Sequence, residues 1–216
     1  MQPRARSAAA KLQRVEDLLD AARVLAAERG GVRHVTLAGI TKSIGLHPSA
    51  VLRYFASKEE LLLELAERGW REWSESLDVH LEGVRGLPPP GTAAAVATTL
   101  TSMPLFCDLL THVPLSLEGD VGIERARRYK ANSFAAYDQA VACLTRSGTL
   151  STAQVQDLVT VALGVTANLW QISHPTPTLA HLYTQEPRWG HAALDFAPRL
   201  MRLLQATAIG LAAQGE

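Results

Sequence analysis

Aromatic residues make up only 6% of this chain of 216 residues, charged residues only 19%, and there are just two cysteines. Cys107 and Cys143 stand far apart with no C-x-x-C pair. That spacing encodes neither a disulfide framework nor a zinc cluster, so both are expected as reduced thiols in apolar helical surroundings. Residues Met1 to Lys11 are rich in Arg and Ala but lack the apolar core of a secretion signal. The longest uncharged run, Leu158 to Gln185, is interrupted by Asn168, Gln171, His174, Pro175 and Pro177. Such residues do not suit a lipid-exposed helix, so a soluble cytoplasmic protein with no membrane partner is expected. Catalytic signatures are missing as well: no G-x-S-x-G, no H-E-x-x-H, no glycine-rich phosphate loop and no paired Cys/His set. No enzyme, cofactor or metal centre is therefore expected. Asp108 and His112 form an i, i+4 pair of acid–base type, read as a surface or rim pair. His174, His181 and His191 match no recurrent ligand spacing and read as a surface loop.

What the chain does have is apolar bulk and a hidden charge split. An apolar fraction of 47% supplies ample surface to bury, which excludes intrinsic disorder. The net charge is zero, yet residues 1–58 hold ten lysines and arginines against four acids, a surplus of +6. The rest of the chain carries the balancing −6. A basic head on an acidic body points to a polyanion as the partner of the head.

Periodicity predicts helices throughout and convincing strand alternation nowhere, so the fold is expected to be all-α. Val15, Leu18, Leu19, Ala22, Leu25 and Ala26 fall at amphipathic-helix spacing, and Gly30-Gly31 stops that helix. Thr36 caps a short second helix, Leu37 to Ile44, which ends at Gly45. Pro48 opens a third short helix running to about Tyr54. Ser57 caps a longer fourth helix to about Leu81, with Ser57-x-x-Glu60 as a capping box. Gly86 to Gly91 reads as a stiff connector rather than a polyproline ligand, since no basic residues flank it. Further helices are expected at 92–101, 103–112, 120–147, 151–172 and 190–212, with stops at Pro104, Pro114, Gly119, Gly148 and Pro175/Pro177. Ser151 is expected as an N-cap, and 177–186 as a short extra turn. Altogether about nine helices are expected.

Two short helices joined by a glycine turn and packed on a longer first helix have the layout of a helix-turn-helix module. In this setting Thr36, Gly45, Tyr54, Phe55, Ser57, Lys58, Glu59 and Leu61 fall in a specific order. The segment from about residue 12 to 65 closely resembles the DNA-binding domain of TetR-family (tetracycline-repressor-type) transcriptional regulators. The remainder resembles that family only in being helical and of the usual length. The resemblance implies a three-helix DNA-binding domain in residues 1–57 and a larger effector-binding and dimerisation domain in residues 58–216. It also implies DNA contacts from Thr36, Thr41, Lys42, His47, Pro48, Ser49, Ala50, Arg53, Tyr54 and Lys58. Chemistry gives several of these their roles. Lys58 opens a helix, where side chain and backbone dipole both favour a phosphate. Tyr54 and Thr36 offer hydroxyls to further phosphates. Arg53 is suited to bidentate contact with guanine, the plainer alternative being a phosphate clamp. Val51 and Phe55 are expected to face the core. Leu52 stands where many relatives carry a tyrosine, and His47 where serine is commoner; His47 is either a DNA contact or a helix cap.

The resemblance assigns the acidic body an effector and a dimer. Leu158, Val159, Leu163 and their neighbours, then Leu200, Leu203, Leu204 and Ile209, are apolar around more than one helix face. One such face is expected to meet a second copy, giving a homodimer through the last two long helices on a palindromic double-stranded DNA operator. Trp70, Trp73, Phe106, Phe134, Tyr137 and Trp170 are the candidate effector residues, plain core being the alternative. Charges are scarce between Gly86 and Leu117, which favours an apolar or aromatic small-molecule effector. The expected function is a repressor released from its operator by that effector. The competing expectation is a TetR-like scaffold that binds a small molecule or protein without regulating DNA.

Overall fold

The computed structural model describes residues 3–186, 188, 189 and 194–214, which contain nine α-helices, 3₁₀ segments at Val32–His34 and Pro48–Arg53 and one π-helical turn, joined by short loops. Helix α1 (Pro3–Arg29) extends well before Val15, because the Ala-rich stretch ahead of it favours helix without needing a buried face. Gly30 and Gly31, both at positive φ, end it, and a 3₁₀ turn, Val32–His34, leads to α2 (Leu37–Ser43). Thr36 caps α2 by accepting the Gly39 N–H. The third short helix, Pro48–Arg53, is a 3₁₀ segment rather than an α-helix. It has only six residues, and Pro48 contributes no N–H to an α ladder. Helix α3 (Lys58–His80) follows, capped by Ser57, whose hydroxyl accepts the Glu60 N–H at 3.1 Å. The Glu60 carboxylate reaches back to the Ala56 N–H, one residue before the position of a standard capping box.

The body comprises α4 (Pro89–Thr101), α5 (Pro104–His112), α6 (Ile123–Ser147), α7 (Thr152–Ser173), α8 (Pro177–Gln185) and α9 (Phe196–Ala213). Two proline expectations need correction. Pro89 and Pro90 form the first turn of α4 instead of a connector, a position where a missing N–H costs nothing. Pro114 does not stop the chain; α5 winds on through a π-helical turn, Val113–Leu117, which closes on a bond from the Glu118 N–H to the Val113 carbonyl. The backbone of Leu87 meets Ser147 and Thr149 in an isolated bridge, and no strand occurs among the described residues. Residues 190–193, where the last helix was expected to begin, lie outside the described residues, as does His191. Among the described residues no single helix is long and apolar enough to cross a membrane; α4 with the α5 segment passes only as a pair bent by 91°.

Two buried clusters hold the molecule together. The first joins Leu18, Leu19, Ala22 and Leu25 of α1, Ile40, Val51 and Phe55 of the short elements, and Leu61 to Ala66 at the start of α3. It also takes in Leu109, Val113, Leu117 and Tyr129, so the basic head is docked on α5, the π turn and α6. The second lies within the body, where α4 packs along α9, α3 along α6, and α7 against α5 and α9. Gly69 lets α3 press against α5, because a Cβ there would collide with the Phe106 ring. Both cysteines are buried and unpaired, and burial pushes the Cys107 thiol up to about 12.

Candidate DNA-binding face and ligand cavities

Thr36, Lys42, His47, Pro48, Ser49 and Arg53 are all exposed on the head, while Ala50, Tyr54 and Lys58 are half-buried. Val51 and Phe55 turn into the core, which is what orients the rest of the short helix outward. In a 3₁₀ helix residues three apart eclipse, so Ala50 and Arg53 share one edge. His47 acts as the cap of this segment: its Nδ1 accepts the Ser49 N–H and lies 2.8 Å from the Ser49 hydroxyl. Lys58 sits in the first turn of α3, with Nζ 3.6 Å from the Glu59 carboxylate. Thr41 departs from expectation. It is fully buried, and its hydroxyl donates to the Leu37 and Ala38 carbonyls within its own helix. The hydroxyl is spent inside the head, so Thr41 leaves the set of contact residues.

The six candidate effector residues are divided by the fold. Trp70, Phe134 and Tyr137 come together on the wall of a cavity of about 430 Å³, bounded also by Leu163 and Ala167 of α7. Trp70 is fixed there by donating its indole N–H to the Tyr129 hydroxyl at 3.0 Å and by edge contact with Phe106. Burial pushes that Tyr129 phenol up to about 12. The rim carries a single ion pair, Lys130 to Glu118 at 2.8 Å. A neighbouring cavity of about 420 Å³ reaches towards Leu179 and Tyr183 of α8, and the two share Leu110, Pro114, Gly164 and Ala167. Trp73 and Phe106 line neither cavity. They are core residues, with the Trp73 indole N–H held by the Thr99 hydroxyl at 3.1 Å. Trp170 faces a different space, between head and body.

Sequence reasoning also misplaced Asp108. It is buried at the junction of head and body, where it accepts the Val32 N–H at 2.7 Å and the Gln171 amide at 2.8 Å, with His112 3.6 Å away. Burial alone would raise its carboxyl; the His112 ring, the Val32 N–H and the Gln171 amide outweigh that and hold it below its usual value. The pair expected at a surface or rim is thus anchored on a buried carboxylate. His174 stacks on Trp170, and His181 meets Gln185.

A second feature absent from the sequence reading is an ion network between α1, α3 and α6. Arg125 of α6 grips Glu67 at 2.7 Å and Glu64 at 3.3 Å, and Arg68 joins Glu64 to Glu16 of α1. The acids at 64 and 67 followed by Arg68 were the visible signal; their partners lie more than fifty residues away.

Residues 18–65 match the family model described as bacterial regulatory proteins, tetR family, and residues 67–215 match that of the tetracyclin repressor-like C-terminal domain. No curated protein matches the chain.

Proposed function

The chain belongs to the TetR family of bacterial regulatory proteins and carries its helix-turn-helix DNA-binding domain; from that premise we propose that it is a repressor which binds a palindromic operator as a homodimer and is released by a small apolar or aromatic effector. In this reading residues 1–57 hold the DNA and residues 58–216 hold the effector and the second copy. The observation that carries the proposal is the course of α3. It starts at Lys58 beside the exposed side chains of the short helices and, twelve residues later, places Trp70 in the wall of the cavity of about 430 Å³, here called the central cavity. In this reading one helix runs from the DNA to the effector, the physical minimum for coupling. A ligand that moved Trp70 would tilt α3 and change the separation of the two recognition helices, for which a coupling of roughly 1–3 kcal/mol is ordinary.

A gel-shift against DNA flanking the coding region tests the proposal, and failure to bind any such fragment would sink it. Two variants sort the contacts. Lys58→Ala is expected to weaken binding to operator and random DNA alike and to flatten the log–log salt dependence by about one unit per site. Arg53→Ala is expected to cost roughly 1–3 kcal/mol on operator and little on random DNA. Equal losses on both DNAs would make Arg53 a phosphate contact.

The dimer has its own test. Leu203 and Ile209 on α9 and Val161 and Ile172 on α7 are apolar yet exposed on the single chain. Leu203→Asp is expected to leave the monomer folded, because the site is open, and to abolish association by stranding a charge in the interface. Sedimentation showing an intact dimer would place the interface elsewhere. Leu163 is unsuitable for this purpose, since it packs on the body core and lines the central cavity.

A further inference from the structure

We propose that the cavity between the head and the body is a second ligand site, built for a small aromatic cation. The space is about 470 Å³, within the range of small-molecule sites. It shares no lining residue with the central cavity that contains Trp70 and Tyr137. One wall is the end of α1, with Ala27, Gly30 and Gly31; the other is the body, with Asp108, Trp170 and His174.

Three observations select the ligand. The first is charge. Asp108 is buried; its Oδ2 accepts the Val32 N–H, and its Oδ1 accepts the Gln171 amide and lies 3.6 Å from His112 Nε2. A carboxylate has about four acceptor sites, so capacity remains for a donor from the cavity. The cation at the rim, Arg23, is already paired with Asp20 at 3.2 Å and Glu72 at 3.3 Å. An anion entering here would meet a buried carboxylate, while His112, the basic group beside that carboxylate, does not line the cavity.

The second observation is that two of the lining residues, Trp170 and His174, are aromatic rings. Trp170 stacks on His174 with ring centres 3.8 Å apart, and Phe196 meets Trp170 edge-on at 5.1 Å. The indole is thus fixed by two ring neighbours, and an aromatic lining attracts a cation or a further ring.

The third is Gly31. A Cβ there would lie 3.0 Å from Asp108 Oδ2, so a side chain at this position would crowd the carboxylate from the α1 side. The φ of 128° already calls for glycine here, and the missing side chain also leaves that oxygen uncrowded. Because the walls belong to two bodies, a ligand bound here senses how the head sits on the body, and any such dependence is reciprocal with DNA binding.

Benzamidine is the probe, with benzyl alcohol and benzoate as neutral and anionic counterparts, titrated by calorimetry and by tryptophan fluorescence. Benzamidine is expected to bind the full chain at least tenfold more tightly than benzyl alcohol, and benzoate not at all. Asp108→Asn should remove the preference for the cation. Ala27→Trp, which fills the space without touching any Asp108 hydrogen bond, should abolish binding even if Asp108→Asn fails to fold. Phe134→Ala, in the central cavity, should change affinity less than twofold. The proposal is overturned if benzamidine shows no preference over its counterparts, if Ala27→Trp still binds it, or if Phe134→Ala removes it. None of these results depends on whether the central cavity holds the effector.

Discussion

Replacement of Arg125 by alanine is expected to lower stability by about 3–5 kcal/mol, because the largely buried Glu67 carboxylate would lose its arginine and keep only the neutral Asn132 amide. For a chain of this size that is a fall in Tm of roughly 6–20 °C. Arg125 is only 7% exposed and holds Glu67 and Glu64 together on α3. Without it the two carboxylates would keep only lateral partners: Asn132 on Glu67, and Arg68 and the more exposed Arg128 on Glu64. The effect should spread, since Arg68 carries the network on to Glu16 of α1, whose carboxyl it holds below the usual value. Arg127→Ala is the control. Its pair with Glu124 is exposed at both ends, and its loss should cost less than about 0.5 kcal/mol. Urea unfolding at constant slope measures both. A cost for Arg125→Ala no larger than that of Arg127→Ala would show the network to be dispensable.

Trp73→Ala is expected to cost a further large amount, about 3–5 kcal/mol, the range for deleting a buried tryptophan. Trp73 is fully buried between α3 and α4, and its ring centre lies 5.9 Å from that of Trp70 and 6.5 Å from that of Phe106. Its loss would leave the Thr99 hydroxyl satisfied, because that group also donates to the Ala95 carbonyl. The penalty is therefore expected from packing, not from a stranded polar group. Trp70→Ala makes the contrast. Trp70 is half-buried at the cavity wall, so its removal should cost less stability and should alter whatever the cavity binds. If Trp73→Ala proved as mild as Trp70→Ala, the assignment of one to the core and the other to the cavity would fail.

Local features were legible because they depend on neighbours in the chain. Thr36, Ser57 and Ser151 cap their helices, and Ser151 with Gln154 completes a full capping box. Pro48 opens the recognition segment and Val51 and Phe55 turn inward, as the short apolar spacing requires. Thr41 was misread despite a visible signal. It stands one turn after Leu37 and beside Ile40, on the buried stripe of α2.

The sequence by itself determined the all-α class, the caps, the helix-turn-helix pattern and the basic surplus of the head. Each of these rests on periodicity, on dihedral preference or on a count of charges, and such quantities need no knowledge of what lies opposite. Only the tertiary structure decided which aromatics share a cavity and which are sealed, where Asp108 goes, and what Arg125 holds. Helical spacing states which face is buried but not its partner. Trp70 and Trp73 differ by less than one turn, yet the packing of α4, α5 and α6 against α3 sends one to a cavity wall and the other to the core. Asp108 likewise looks like a rim residue until the folding of the chain brings Val32 and Gln171 to its two oxygens, and those distant donors are what make its burial tolerable.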